Sequence, residues 1–497
     1  MRFSKKELIW TWNSCQNRLF AVVLKIRKVM KVGKISAFYT MPHPPIIIPE
    51  VGQGEEEKVK ATYNACCKVA EEIGKIKPDT IIIVTPHGPV FSDAIAISAG
   101  ENIDGNLSRF GASNVELNLD INRPLVEKIR DYAEKENILI ADITEESAKV
   151  YGVEYELDHG AIVPLYFINK KLSNYKVVHI TYGMLPKIHL YKLGMNIKKA
   201  VEESNINAVL IASGDLSHKL ADKGPYEYSP YGEKFDKEII LRLQSGDVIG
   251  IFNMDSTMIE EAAECGLRSY YIMLGAMNGY DIKGNLLAYE GTFGVGYSVM
   301  SFSTEESRQD VYQQLIKEKE ERIRNKKENE DTYVKLARES LAYYLLHGEY
   351  MNIPPYITNE MRKIKRGVFV SLQQEGSLRG CVGTIFPTKE NVAEEIIRNA
   401  VEAGIYDPRF APVEEGELED LDFSVDVLTE PKQASIGELD PKKYGVIVRS
   451  GSKLGLLLPD LEGVDTVEHQ IDIALQKGGI SSDENYSIEK FEVVRHR

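Results

Sequence analysis

Between residues 34 and 303 short β-branched runs alternate with amphipathic stretches, the pattern of an α/β sheet. These runs predict strands over 35–40, 80–85, 94–98, 138–141, 176–181, 208–213 and 294–300. Helices are predicted over 56–73, 124–134, 193–203, 232–243 and 257–277. Two runs, 80–85 and 208–212, read continuously apolar, as strands covered on both faces do. Mixed charge with few apolar residues follows at 304–331, a solvated helical linker or the first turns of a second domain. From Thr332 one amphipathic helix (333–346) precedes strands at 367–372, 379–384, 423–428, 445–449 and 454–458. Helices over 393–403 and 464–476 are interleaved with them. The expected architecture is an extension (1–33), an α/β domain (34–303), a charged linker (304–331) and a smaller α+β domain (332–497).

Composition narrows the partners. The 497 residues are 43% hydrophobic and 27% charged, as in an ordinary globular chain. A net charge of −15 argues against a nucleic-acid partner, because gripping phosphates needs a basic face. Five cysteines without CxxC pairs exclude a disulfide scaffold or zinc ribbon, and suit a reducing cytoplasm. No apolar run approaches the roughly 18–20 residues of a membrane span, so no membrane partner is expected. The early apolar stretch 19–24 is too short for a signal peptide, is followed by basic residues and lacks a small-residue cleavage site. Residues 1–29 read as an extension, for which a start codon assigned too early is one source, with Met30 expected to open the folded protein.

The chemistry lies in the histidines. His43 stands in Met41-Pro-His-Pro-Pro45, His87 in Thr85-Pro-His-Gly-Pro89 and His218 in Ser213-Gly-Asp-Leu-Ser-His218. Each follows a predicted strand by two to five residues. In an open α/β sheet, sites form outside the carboxyl ends of strands, where loops from different strands meet. Prolines and glycines stiffen these loops and let the backbone approach closely. Imidazoles suit iron, zinc, copper or nickel, and two histidines with one carboxylate leave open positions on a ferrous ion. The third donor would come from Glu261, Glu264 or Cys265 in Glu260-Glu-Ala-Ala-Glu-Cys-Gly-Leu-Arg268. His159 follows Asp158, which reads either as a helix cap or as part of an acid–base pair near a bound substrate. His179, within a strand, and His189, beside Pro186, read as structural or surface residues. The tyrosines of 226–231 read equally as the lining of a planar pocket and as a cover for the next helix.

Residues 34–303 resemble the catalytic (LigB-type) subunit of class III extradiol ring-cleavage dioxygenases and the related Memo-like family. Pro-His-Pro-Pro, Pro-His-Gly-Pro, Leu157-Asp-His-Gly-Ala-Ile-Val-Pro-Leu165 and Gly-Asp-Leu-Ser-His carry the likeness, in that order, with Tyr289-Glu-Gly-Thr-Phe-Gly-Val-Gly-Tyr297 closing it. The resemblance implies a LigB/Memo-like α/β sheet and ferrous iron on His43 and His87; imidazole chemistry itself leaves zinc or copper as other candidate metals. It implies His218 as the active-site base, His159 shaping the O2 and substrate pocket, and a small aromatic diol cleaved beside its hydroxyls. The family's third ligand is a glutamate, falling near Glu264; Memo-like relatives carry a cysteine there, matching Cys265. A thiolate would alter the metal's softness and redox behaviour.

In the second domain, Arg379 and Cys381 lie two apart on a predicted strand, so they are expected on one face, where the cation would lower the thiol pKa. The alternative is a small buried cysteine. Arg409, in Tyr406-Asp-Pro-Arg-Phe410, is expected to pair with an acid. Arg379-Gly-Cys-Val-Gly-Thr384, Asp-Pro-Arg-Phe and Phe423-Ser-Val-Asp-Val-Leu-Thr429 resemble the AMMECR family over 332–497. The pairing of the two domains resembles the fused proteins of the prokaryotic AmmeMemoRadiSam system, which implies a radical-SAM protein as partner. Three functions follow: an iron(II) extradiol dioxygenase, a metal-binding or redox accessory protein without ring cleavage, and a zinc-dependent hydrolase. The facing of Glu264 against Cys265 separates the first two.

Overall fold

The computed structural model describes residues 32–497 apart from positions 225, 375 and 462. The proposed N-terminal extension therefore lies almost wholly outside the described residues. The chain forms two compact units, dividing between Lys317 and Glu318. That division falls inside a charged helix, Val311–Asn329.

The first unit is built on an eight-stranded sheet. Its strands are β1 (Lys34–Met41), β2 (Thr80–Thr85), β3 (Ala94–Ser98), β6 (Leu139–Ile143), β7 (Lys176–Thr181), β8 (Asn207–Ser213), β9 (Tyr280–Glu290) and β10 (Tyr297–Glu306). They lie in the order β6-β3-β7-β2-β8-β1-β10-β9. The middle, β7-β2-β8-β1, is parallel. β10 runs antiparallel to β1, and β9 to β10. Every residue of β2 is buried, as its unbroken apolar run requires for a strand with helices on both faces. Helices Lys60–Ile76 and His159–Asn169 pack on each other and on the sheet, as do Lys187–Glu202 and Leu267–Ala276. The last two cross in contact at Gly194 and Gly275: a Cβ there would lie 1.9 Å from the Ile272 carbonyl and 1.8 Å from that of Tyr191.

Among the departures from the predicted elements, three concern the first unit's sheet and the segment of Glu264 and Cys265. A hairpin, β4 (Asn102–Leu107) and β5 (Ala112–Asp120), stands apart from the main sheet; its apolar positions alternate, but the Asn, Asp and Gly residues between them weaken the β signal. The predicted strand 294–300 starts at Tyr297 instead, and pairs with a β9 that the pattern missed. The predicted helix 257–277 is two helices, Ser256–Ala262 and Leu267–Ala276, broken where Ala263 turns to φ +51°.

The second unit holds two four-stranded sheets. One is β12-β11-β13-β18 and contains β11 (Val368–Gln374), β12 (Ser377–Thr384), β13 (Leu421–Leu428) and β18 (Val493–His496). The other is β14-β17-β15-β16 and contains β14 (Lys432–Gln433), β15 (Gly445–Ser450), β16 (Lys453–Leu457) and β17 (Ser487–Phe491). Helices Thr332–His347 and Val392–Val401 cover the first sheet, and Val467–Gly478 the second.

Candidate metal centre

Because β8 lies between β1 and β2, the segments leaving these three strands emerge side by side at one sheet edge. His43 follows β1, His87 follows β2 and His218 follows β8; His159 opens the helix His159–Asn169. The ring nitrogens of His43, His87 and His159 all lie within 4.8 Å of one another. His43 Nε2 and His87 Nε2 are 2.9 Å apart, and the His87 and His159 rings stack at 4.2 Å. Two nitrogens each about 2.1 Å from one ion, at right angles to it, would sit about 3.0 Å apart, so the spacing fits a shared metal.

The surroundings hold these rings in place. His43 is 2% exposed; its backbone N–H donates to Asp215 Oδ1 at 2.9 Å, and its Nδ1 lies 2.9 Å from Ser213 Oγ. Ser213 Oγ in turn donates to the Gly160 carbonyl. Asp158 occupies the cap position of its helix without capping it. Its carboxylate instead accepts from Thr85 Oγ1 at 2.6 Å and meets His179 Nε2 at 2.9 Å, while His179 Nδ1 meets Ser98 Oγ. Burial would raise the Asp158 carboxyl, but the bonds from His179 and Thr85 outweigh it and hold it below the usual range. Asp158 thus ties the ends of β2 and β7 to the helix of His159, and His179 stands outside the cluster.

Every imidazole of the site is held neutral. Burial, then His87, His159 and His218, pushes His43 well below the ordinary histidine value. Desolvation and His159 bring His87 to about 4, against the pull of Asp158, although solvent reaches one side of its ring. Burial lowers His159, with Asp158 opposing and Arg109 assisting. Burial and His87 bring His218 to about 4. Neutral rings offer lone pairs to a cation at neutral pH, and the donor set suits a transition metal.

Glu264 and Cys265 part company in the break between the two helices. The Glu264 carboxylate turns to the helix start and accepts from the Leu267 N–H at 2.6 Å; burial raises it to about 7. The Cys265 sulfur lies 3.6 Å from His43 Nε2 and accepts from the Asp215 N–H at 3.3 Å. Metal–sulfur and metal–nitrogen bonds of about 2.3 and 2.1 Å at a tetrahedral angle span about 3.6 Å. Burial, reinforced by Asp215, keeps this thiol well above its ordinary pKa. Asp215, raised to about 7 by burial, thereby touches both His43 and the Cys265 turn; sequence reasoning passed over it although it stands within Gly-Asp-Leu-Ser-His.

His218 stands beside this group, its ring parallel to Tyr226 at 5.7 Å. Phe110, from the hairpin turn, packs its ring 5.2 Å from His159. Nothing local in the sequence marks Phe110, because only the hairpin brings it there.

In the second unit the expected Arg379–Cys381 pairing does not form. Leu372 pairs with Gly380 and Gln373 with Leu378, so Arg379 is the extra residue of a β-bulge, which re-aims its side chain. Its guanidinium forks onto Glu417 at 2.9 and 3.0 Å. Arg409 takes the place beside Cys381, donating to its carbonyl at 3.0 Å while pairing with Asp407 at 2.7 Å. The Ser371 hydroxyl lies 3.2 Å from the Cys381 sulfur.

The family described as the catalytic LigB subunit of aromatic ring-opening dioxygenase matches residues 37–300, and the AMMECR1 family matches 334–496. A protein of Clostridium acetobutylicum is 53% identical over 464 residues, covering 93% of this chain and 99% of that one. A Thermotoga maritima protein is 47% identical over 171 residues, 34% of this chain and 98% of its own. A crystal structure of a Pyrococcus horikoshii protein, 30% identical, covers 33% of this chain and 88% of that one with a TM-score of 0.31. No described helix is long and apolar enough to cross a membrane. The chain belongs to the LigB family of aromatic ring-opening dioxygenase catalytic subunits and carries an AMMECR1 domain after it.

Proposed function

We propose that the first unit is a mononuclear metal-dependent oxidoreductase that cleaves a catechol-type ring with O2. The observation that carries this reading is the meeting of His43, His87 and His159 within 4.8 Å at the mouth of the sheet. His43 and His87 would hold the ion, with His159 or Cys265 as third donor: His159 completes the set whose donor atoms are mutually within 4.8 Å, and the Cys265 sulfur lies 3.6 Å from His43 Nε2. Iron(II) is the first candidate, zinc or copper the others. Bound there, ferrous iron would supply the open positions at which a diol and O2 can meet. His218, neutral because its pKa lies near 4, accepts the second phenolic proton of the diol. His159, neutral and stacked on His87, would offer a ring nitrogen to the substrate held beside it. Metal analysis of protein purified without oxygen, followed by O2 uptake with a panel of catechols, tests this. Iron near one equivalent with diol-dependent uptake is expected. An iron-loaded protein inert toward the whole panel would remove ring cleavage from the account.

One observation favours a second reading. Cys265, and not Glu264, faces His43, and a sulfur donor suits metal handling or redox work. On this reading the protein is a metal-binding accessory of a radical-SAM partner and cleaves no ring. Tight metal binding with no O2 uptake, and co-purification with a radical-SAM protein, would support it.

A further inference from the structure

We infer that Phe110 and Tyr226 form an aromatic flank on either outer imidazole of the site and select a flat ring over an aliphatic chelator. This rests on the diol reading above and adds the residues that recognise the ring.

Both side chains are large and apolar, yet they remain 40% and 52% exposed beside a histidine cluster that is itself open to solvent at His87. Phe110 leans on His159, and His159 stacks on His87, so three rings stand in series. Tyr226 lies parallel to His218, within 6°. Apolar ring faces left in water gain by covering a planar ligand, and offset or edge-to-face contacts add to the area term. An aliphatic chelator can engage the metal equally well, but it has no π-face to meet these rings. The Phe110 turn is held over the site rather than trailing. Arg109 pairs with Glu154 and, at 3.4 Å, with Glu156, and the Leu157 N–H donates to the Asp104 carbonyl of β4 at 2.8 Å. These bonds join the hairpin to the segment leading into His159. Tyr226 sits ahead of the helix Pro230–Ser245, whose start is fixed by the Ser229 cap.

The test uses the full chain loaded anaerobically with iron(II), with 4-nitrocatechol as the aromatic probe and glycolate as the aliphatic one. Iron content and both dissociation constants are measured for the wild type and for Phe110→Ala, Tyr226→Ala and Tyr226→Phe. The two alanine variants are expected to weaken 4-nitrocatechol about three- to ten-fold each, while glycolate and iron binding hold and Tyr226→Phe behaves as wild type. If the alanine variants bind 4-nitrocatechol as tightly as the wild type, the flank is refuted while the diol reading stands. If they lose glycolate or iron to the same degree, the rings serve the geometry of the centre and not the selection of a flat ligand, which also refutes it. If the iron-loaded wild type binds no 4-nitrocatechol, both the diol reading and the flank fall.

Discussion

Ser213 sets the tautomer of His43. The serine hydroxyl has one proton, which goes to the Gly160 carbonyl, so at 2.9 Å it must accept from His43 Nδ1–H. The free lone pair is then on Nε2, the atom that faces His87 and Cys265. An oriented imidazole is a better ligand because the wrong tautomer has already been excluded. Ser213→Ala is expected to lower metal affinity about 10- to 100-fold and to cost about 1 kcal/mol of stability. A metal titration alongside a melting curve measures both; unchanged affinity would show that the hydroxyl has no orienting role.

The neighbours Glu264 and Cys265 should separate cleanly under mutation. Glu264→Ala removes a helix-start acceptor and should cost about 1 kcal/mol while leaving metal binding intact. Cys265→Ser should instead abolish the sulfur-to-metal absorption of the cobalt-substituted protein. Retention of that band in Cys265→Ser, or its loss in Glu264→Ala, would reverse the assignment.

Metal binding should release a proton through Cys265. The buried thiol lies well above its ordinary pKa, so at pH 7–8 it carries a proton that a bound metal must displace. Apparent affinity should therefore rise about ten-fold per pH unit across that range. Titration calorimetry in buffers of different ionisation enthalpy counts the proton: about one for the wild type and about none for Cys265→Ser. The imidazoles contribute little there, since His87 and His218 lose their protons near pH 4.

On the ring-cleavage reading, the lowered pKa of His218 sets the acid limb of turnover. A histidine base with its pKa lowered to about 4 is neutral throughout pH 5–8 and becomes protonated only as pH falls through 4. Ring-cleavage rate should thus hold where an ordinary histidine would already have failed, near 6.5. His218→Asn is expected to keep the metal and reduce turnover about 10²- to 10⁴-fold. A wild-type rate that halves near pH 6.5 would contradict the neutral-base assignment.

In the second unit the buried Glu395 carboxylate accepts from the Thr384 and Thr388 hydroxyls at 2.6 and 2.9 Å and from the Thr388 and Lys389 N–H groups at 2.8 Å each. Glu395→Ala strands all four donors and should cost about 3 kcal/mol or more. Calorimetry of the full chain should show the second unit melting earlier with the first unit unmoved. A shift below about 1 kcal/mol would mean that water replaces the carboxylate.

His43, His87 and His218 could be read as neighbours from the chain alone because each follows an apolar strand within a few residues, and parallel strands end at a common edge. The outlook differed for Glu264 and Cys265. Adjacent in sequence and both polar, they look interchangeable as donors until Ala263 adopts a left-handed turn that sends one to the helix start and the other to His43. Arg379 and Cys381 illustrate the same loss of information, since alternation along a strand assumes an unbroken register and a bulge cancels it.

Sequence by itself determined the two-domain α/β and α+β outline, the strands that carry the histidines and the residue types able to hold a metal. Those properties follow from local periodicity and from side-chain chemistry, which need no distant partner. Tertiary structure alone decided that Cys265 rather than Glu264 meets His43, that Ser213 and Asp215 hold His43 in place, and that Phe110 reaches His159. Each of these depends on where separate segments cross, and a crossing is fixed by packing and backbone turns that no short window of residues encodes.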